Sequence, residues 1–199
     1  MSNYKISFLL STWNDAHQQS RIKGVAEVST LGILFGYKRD DYKSLSNYSF
    51  INLGNLSNGR YLSRIKTLIT SFFKIKKQIP GIEIIYVFGL ENLVQMLLIK
   101  TLFHRKLKII YEISDIREVL LADNIWGRFL RITEQICIRN IDLLVVTSKS
   151  YVEGYFNRFR NIEIQKKQII INKILRELNI SIMVLIDQNQ HLMKLLTKC

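Results

Sequence analysis

Charged side chains follow an apolar run in the middle of the chain, in the segment Lys108-Ile-Ile-Tyr-Glu-Ile-Ser-Asp-Ile-Arg117. The first half of this segment is mainly apolar, and its second half is charged and polar. The apolar half predicts a buried strand over residues 108–114, and Glu112, Asp115 and Arg117 fall where that strand would end. In open parallel α/β sheets, ligands bind beyond the carboxyl ends of the strands. These three residues are therefore candidates for binding hydroxyl groups or a cation, although Asp115 could instead cap a following helix.

A second polar set follows the first predicted strand, residues 5–12. Asn14, Asp15, His17 and Arg21 bring a carboxylate, an imidazole and a guanidinium to one strand end and to the first turn of a helix predicted over 17–30. Such a set could hold hydroxyls and phosphates, or supply a general base. The alternative, which stays open, is that Asn14 or Asp15 only caps the helix. Gly32 is predicted to end that helix.

Two more strand ends carry candidate residues. Gly89 and Glu91 follow a predicted strand over 82–88, and Ser148 closes another over 142–148. No nucleophile-elbow pattern surrounds Ser148, which argues against a hydrolase serine. Neither a dinucleotide-binding nor a P-loop glycine pattern is present, so a nucleotide would have to be held in another way.

The basic balance of the chain predicts an anionic partner. Lysine and arginine exceed aspartate and glutamate to give a formal net charge of +13 over 199 residues. Two cysteines and three isolated histidines give no spacing typical of a disulfide framework or a metal site, so no metal is expected. The cysteine content fits a reducing cytoplasm.

A helix predicted over 60–79 places apolar residues on one face and basic residues on the other. The basic face is either simply solvated or lies against anionic lipid head groups. No nucleic-acid-binding motif accompanies the charge, so nucleic acid is not an expected partner. The residues predicted to contact a membrane are Arg60, Arg64, Lys66, Lys74 and Lys77.

Strands and helices alternate regularly, which predicts an α/β fold with a doubly wound, parallel, Rossmann-like sheet. We expect one domain over residues 1–160 and a linker strand with a short irregular or helical tail over 161–199. A helix is predicted over 126–139, and Glu134 on it is expected to form a solvated ion pair with neighbouring arginines.

In four places the chain resembles the amino-terminal half of the GT-B glycosyltransferases of family 4. These places are Trp13 to Arg21, Tyr86 to Gly89, Tyr111 to Arg117, and the segment from Glu134 through Asp142 to Tyr151. Members of this family are retaining enzymes common in bacterial capsule and surface-polysaccharide synthesis. The resemblance implies transfer of a sugar from a nucleotide sugar to a lipid-linked saccharide, with no cofactor besides that donor.

The family's amino-terminal domain binds the acceptor, and the donor sits mainly on a second Rossmann-like domain. By position, Asp15, His17 and Arg21 would line the acceptor side of the cleft, and Asp115 would face the donor sugar as the catalytic residue. Ser114 stands where many members have histidine. The full set of acceptor-binding candidates is Asn14, Asp15, His17, Arg21, Gly89, Glu91, Glu112, Arg117 and Ser148.

The sequence from Ile169 to Ile174 resembles the strand that leads into the second domain of the family, but only a short segment follows it. We therefore expect the acceptor-binding half of a glycosyltransferase, incomplete alone. The alternatives are a non-catalytic membrane-associated subunit that pairs with a separate donor-binding chain, or an inactive remnant. The predicted location is the cytoplasm, peripheral on the inner face of the plasma membrane.

Overall fold

The computed structural model describes residues 5–38, 48, 50–56, 61–148, 151–159 and 169–171. The chain divides into two compact units, Met1–Ile109 and Ile110–Cys199. The predicted domain boundary between residues 160 and 161 lies outside the described residues, as does the tail from residue 172 onward, and both stay predictions.

The first unit is a parallel sheet with connecting helices. Its strands follow the order β3-β2-β1-β4, and each described pair is parallel. All five residues of β4 are buried, as expected for a strand covered on both faces. The elements are β1 (Lys5–Leu10), α1 (Ala16–Val28), β2 (Thr30–Lys38), β3 (Ile51–Asn55), α2 (Tyr61–Gln78), β4 (Ile84–Phe88) and α3 (Leu90–Leu102).

The end of α1 differs from the prediction. The helix stops at Val28, and Ser29 caps it by donating from its hydroxyl to the Val25 carbonyl at 2.9 Å. Gly32, predicted to end the helix, instead lies inside β2, where an added Cβ would stand 2.3 Å from the Ser7 hydroxyl oxygen. This glycine is required because two strands approach closely there.

The apolar face predicted for α2 is only partly buried, because Ile65 and Ile69 on it are 54% and 55% exposed. The helix instead turns Ser71 and Ile75 into the interior, where the Ser71 hydroxyl lies 2.7 Å from the Tyr37 hydroxyl. A buried hydroxyl must be hydrogen-bonded, so this polar contact determines which face of α2 turns inward. The positions of the apolar residues alone would favour a different face.

The sequence over residues 93–103 is apolar nearly all round and so predicts a helix that is buried on every side, and this prediction is also wrong in part. Leu93, Met96 and Ile99 are fully buried, whereas Leu98 and Leu102 are exposed. The helix therefore packs through one side only. None of the helices in the described parts of the chain has the length and apolar content to cross a membrane.

The second unit is built on strands in the order β5-β6-β7, with both described pairs parallel. Strand β7 lies within the predicted linker strand. The elements are β5 (Lys108–Ile113, which starts two residues before the unit boundary), α4 (Glu118–Leu121), α5 (Ile125–Arg139), β6 (Leu143–Val146), a π-helical turn (Tyr151–Phe156) with a helical turn (Asn157–Phe159), and β7 (Ile169–Ile171). The predicted parallel α/β fold is confirmed.

Helices α4 and α5 pack tightly against each other through backbone. The Asn124 side chain caps α5 by accepting from the Gly127 amide at 2.7 Å. A Cβ on Gly127 would stand 2.3 Å from the Ala122 carbonyl oxygen, so only glycine fits. The Arg131 guanidinium donates to the carbonyls of Leu120 and Ala122 at 2.7 and 2.9 Å and so closes the end of α4.

Candidate sites at the carboxyl ends of the strands

The strand order of the first unit reverses between β1 and β4, which makes their carboxyl ends a topological switch point. The loop after β1 and the start of α3 meet there. An added Cβ on Gly89 would stand 3.6 Å from Cβ of Ser11, in ordinary contact. This is the place in a doubly wound sheet where a ligand is most expected.

Gln18 holds the loop after β1 in place. Its buried side chain accepts from the Ser11 amide at 3.1 Å and donates to the Ser11 hydroxyl at 2.7 Å. Its own amide donates to the Asp15 carboxylate at 2.9 Å, so Asp15 is the N-cap of α1. The capping alternative is realised for Asp15, and its role in a site stays a prediction.

Gln18 was not among the predicted site residues, although a signal for it exists. Aspartate followed three residues later by glutamine has the spacing of a capping box. Here the glutamine side chain turns toward the strand end and not to the N-cap backbone. The Gln18 side chain therefore holds the loop in place and does not complete the capping box.

His17 and Arg21 lie one turn apart on α1, so they share a face. The exposed His17 ring meets the Phe88 ring edge-on at 6.4 Å, and Arg21 is half-buried. In the same loop, the indole nitrogen of Trp13 is buried and has no hydrogen-bond partner among the described residues. The half-buried Asn14 is its neighbour.

Gly89 and Glu91 form the other side of the switch point. Gly89 has φ of +85°, which L-residues rarely adopt, and it begins α3 as its N-cap. Glu91 in the first turn pairs with Arg64 of α2 at 2.6 Å. Arg64, predicted to contact a membrane, is thus engaged in an ion pair.

The other predicted membrane-contact residues differ in surroundings. Lys66 and Lys77 are exposed on α2. The exposed Lys74 donates to the Asn52 carbonyl at 3.1 Å. Arg60 lies outside the described residues. Contact of this basic face with lipid stays a prediction.

The second unit has a polar cluster of its own, where β5 and β6 end. The carbonyl oxygen of Ser114 accepts from the hydroxyls of Thr147 and Tyr151, both at 3.3 Å. The amide of Tyr151 donates to the carbonyl of Ser148 at 3.1 Å, which joins Ser148 to the same cluster. These bonds fix the backbone next to Asp115.

Asp115 is exposed and does not cap the following helix, because α4 begins after Arg117, which occupies the N-cap position. The capping alternative for Asp115 is therefore wrong, and its role in a site stays a prediction. Glu112 does not end its strand as predicted. It lies within β5, opposite Val145 of β6, and only 1% of it is exposed.

Glu134 is not the solvated ion pair that was predicted. It is buried on the inner side of α5 and accepts a hydrogen bond from the Tyr155 hydroxyl at 2.6 Å. Burial raises the pKa of Glu134 to about 6, although the bond from Tyr155 opposes the rise. Burial and the nearby carboxylate raise the pKa of Tyr155 far above its usual value, and they raise that of Cys137 to about 11.

Arg131 lies beside this pair, with its guanidinium stacked over the Phe159 ring at 4.2 Å from the ring centroid. The cluster is enclosed by protein, so we assign it to holding the π-helical turn against α5. Among the residues that the structure describes, no group of three or more histidine, cysteine, aspartate or glutamate side chains could hold a metal ion.

No family model matches the sequence. The chain is 26% identical over 147 residues to the succinoglycan biosynthesis protein ExoL of Rhizobium meliloti (strain 1021), a match that covers 71% of this chain and 36% of that protein. The chain thus spans little more than a third of that relative.

Solved structures similar to this chain include three transferases or synthases. A sucrose-phosphate synthase from Thermosynechococcus elongatus matches with a TM-score of 0.59 and 13% identity over 85% of this chain and 48% of that one. The lipopolysaccharide outer core galactosyltransferase WaaB gives 0.55 and 12%, over 84% and 45%. An alpha-glucosyltransferase solved with UDP and a 13-mer DNA gives 0.52 and 9%, over 86% and 44%.

At these identities the likeness establishes the fold. Each match covers most of this chain and just under half of the larger protein. The resemblance to GT-B glycosyltransferases is thereby confirmed for the fold, and the chain is similar in sequence to a protein of succinoglycan biosynthesis.

Proposed function

We propose that this chain is the acceptor-binding half of a retaining glycosyltransferase that acts in surface-polysaccharide synthesis. The observation that carries the proposal is the switch point between β1 and β4, where Gln18 braces a polar loop beside Gly89. The similarity to ExoL and the GT-B fold support the same class of chemistry. The acceptor is a lipid-linked saccharide and the donor a nucleotide sugar.

The geometry suggests a separate role for each of the predicted residues. Asp15 is used as a helix cap, so His17 is the better candidate to accept a proton from an acceptor hydroxyl. Asp115, exposed at the end of β5, is the candidate catalytic carboxylate on the donor side. The departing nucleotide needs positive charge placed around its phosphates, and that task falls to a donor-binding domain.

Acceptor binding is the direct test. Titration with a panel of polyprenyl-diphosphate-linked saccharides in detergent should show saturable binding that His17→Ala weakens by up to about tenfold, the effect of losing one hydrogen bond. Lys23→Ala, an exposed change on the same helix, is the matched control and should bind as wild type does. Equal binding by the wild type and His17→Ala, or no binding to any saccharide in the panel, would reject the proposal.

A second candidate is a non-catalytic subunit that pairs with a separate donor-binding chain. The chain covers 36% to 48% of the larger proteins that it matches, and in this candidate a donor-binding partner would supply the part that those matches do not cover. The two candidates differ in whether this chain supplies a catalytic residue. With a donor-binding partner and panels of nucleotide sugars and saccharides, Asp115→Asn should abolish sugar transfer for the first candidate and leave it unchanged for the non-catalytic subunit.

A membrane location is proposed for the same protein, peripheral on the cytoplasmic face of the plasma membrane. Helix α2 exposes Ile65, Ile69 and Phe73 between exposed lysines, and Lys76 lies 3.9 Å from the centroid of the Phe103 ring. Apolar side chains flanked by lysines suit a helix lying on anionic lipid.

Co-sedimentation with anionic vesicles tests this location. Replacing Lys66, Lys74 and Lys77 by glutamate should abolish binding. The matched control is the same charge reversal at three other exposed lysines, Lys5, Lys23 and Lys108, which should retain most of it. Similar losses in both triple variants would mean that overall charge, and not the α2 surface, drives the binding.

A further inference from the structure

Helix α5 is apolar on two opposite sides. Its inner side buries Cys137 and Ile138 in the second unit. Its outer side carries five large apolar side chains that are 47% to 78% exposed, an unusual concentration for one short helix. These residues are Ile125, Trp126, Phe129, Ile132 and Ile136.

Four of the five form a narrow stripe. Ile125, Phe129, Ile132 and Ile136 are spaced by four, three and four residues, which is the spacing of a seam between two packed helices. At about 100° per residue these four span an arc of about 60°, the width of a seam against one partner helix, and Trp126 at the edge widens the exposed apolar face to about 120°.

The stripe is also symmetric about its own centre. A two-fold axis through the midpoint between Phe129 and Ile132 would place Phe129 against Ile132 of a second copy, and Ile125 against Ile136. A surface with this property is self-complementary, as the interface of a two-fold dimer must be. The pairing requires the two α5 helices to run in opposite directions.

Charge supports the antiparallel arrangement. Asp123 stands just before α5, with its side chain 75% exposed and its carboxylate 3.9 Å from the Arg131 guanidinium of the same chain, whereas the exposed Arg139 is the last residue of α5. Antiparallel pairing brings the acidic residue at the start of each α5 beside the basic residue at the end of the other copy's α5. The dipoles of the two antiparallel helices also attract each other. Arg128 would face Thr133, so no cation meets a cation.

We propose that the outer face of α5 binds a second copy of this chain to form an antiparallel two-fold dimer. One 15-residue helix per copy is about 22 Å long, which makes an interface at the small end of specific complexes. The dimer should therefore form reversibly and depend on protein concentration. Lipid fits less well, because the acidic Asp123 is exposed just before the stripe.

Sedimentation velocity on the full chain, from low micromolar to submillimolar concentration, tests the dimer. The wild type should shift from monomer to dimer, and Phe129→Glu should weaken association by more than about tenfold. Leu98→Glu, at a similarly exposed leucine of α3, is the matched control and should dimerise as wild type does. Circular dichroism confirms that each variant is folded. A wild type that stays monomeric throughout overturns the proposal.

A charge exchange tests the orientation. Asp123→Arg and Arg139→Asp should each weaken the dimer, and the double variant should recover association, because the opposite charges face each other again. A double variant weaker than either single one overturns the antiparallel arrangement. If Phe129→Glu leaves sedimentation unchanged but abolishes binding to anionic vesicles, the occupant is lipid and the dimer is rejected.

Discussion

The hydroxyl of Tyr155 donates a 2.6 Å hydrogen bond to Oε2 of Glu134, and both residues are buried. This bond joins the π-helical turn after β6 to the inner side of α5. A carboxylate in such surroundings loses the solvation that water would give its charge, which is why the pKa of Glu134 rises to about 6. The stability of the second unit should therefore depend on pH.

Glu134 should make the protein less stable as the pH rises from about 4.5 to about 6. Its pKa is about 6 in the folded chain against an ordinary 4.5, so between these values the folded state binds the proton more tightly than the unfolded state. The contribution is fully present below 4.5 and is lost as the pH rises through 6, by about 2 kcal/mol. Urea unfolding at a series of pH values measures it.

Glu134→Gln should flatten this part of the stability curve, because glutamine keeps an acceptor for Tyr155 and does not ionise. Glu83→Gln, an exposed carboxylate, is the control and should keep the wild-type slope. If the Glu134→Gln and wild-type curves stay parallel between pH 4.5 and 6.5, Glu134 titrates normally and the assignment is wrong.

Tyr155→Phe should cost more stability at neutral pH than in acid. Above pH 6 the ionised Glu134 would lose its hydroxyl donor in a buried place, a loss of about 1.5–3 kcal/mol for a hydrogen bond to a charged group. Below pH 4.5 the carboxyl is neutral, and the loss falls to about 1 kcal/mol. Chemical denaturation at pH 7.5 and pH 4 compares the two, and equal losses would contradict the role given to the hydroxyl.

The strands and helices of the sheet were predictable because their apolar runs are local. The run over 108–114 gave β5, and the 60–79 pattern gave α2 within a residue or so at each end. Which face of each helix is buried was less predictable. Ser71 turns inward because Tyr37, far away in the chain, offers it a hydrogen bond, and no apolar periodicity contains that information.

The positions of the candidate site residues were also predictable, but their surroundings were not. Polar residues after β1, β4, β5 and β6 follow from sequence, because strand ends are marked by where apolar runs stop. Their surroundings depend on tertiary contacts. Glu134 was expected in solvent because arginines surround it in sequence, but the partner that determines its state is Tyr155, 21 residues later.

Gln18→Met should destabilise the first unit by about 1–3 kcal/mol although the side chains are similar in size. The change leaves the Ser11 amide and hydroxyl without the partners that the Gln18 side chain provides at the switch point. Lys23→Met, at an exposed position of the same helix, is the control and should change the free energy of unfolding by less than about 0.5 kcal/mol. A similarly small effect at Gln18 would mean that the loop needs no brace.

The ion pair between Arg64 and Glu91 should contribute little despite its short distance of 2.6 Å. Both side chains are about one third exposed, 33% and 31%, so water and salt screen their attraction. A double-mutant cycle with Arg64→Met and Glu91→Gln should give a coupling of about 0.2–1 kcal/mol that decreases in high salt. A coupling well above 1 kcal/mol that salt does not change would mean that water and salt do not screen this ion pair, contrary to the exposure of its two side chains.

Alanine at Gly89 and alanine at Gly24 should have opposite effects on stability. Gly89 has φ of +85° and ψ of 143°, a backbone conformation costing about 1–3 kcal/mol for a residue with a Cβ, whereas the space around it is sufficient. Gly24 lies inside α1, and an added Cβ there contacts nothing within 4 Å. Alanine is favoured over glycine in a helix by up to about 1 kcal/mol, so Gly24→Ala should stabilise the chain.

Thermal and urea unfolding of the two variants beside wild type measures both signs in one experiment. If Gly89→Ala is destabilised by strain, acceptor binding should weaken as well, because the same backbone forms one side of the switch point. Gly24→Ala changes no residue of that site, and its binding should match wild type. A Gly89→Ala variant as stable as wild type would mean that the turn into α3 relaxes without cost, and its conformation would then not be what positions the site.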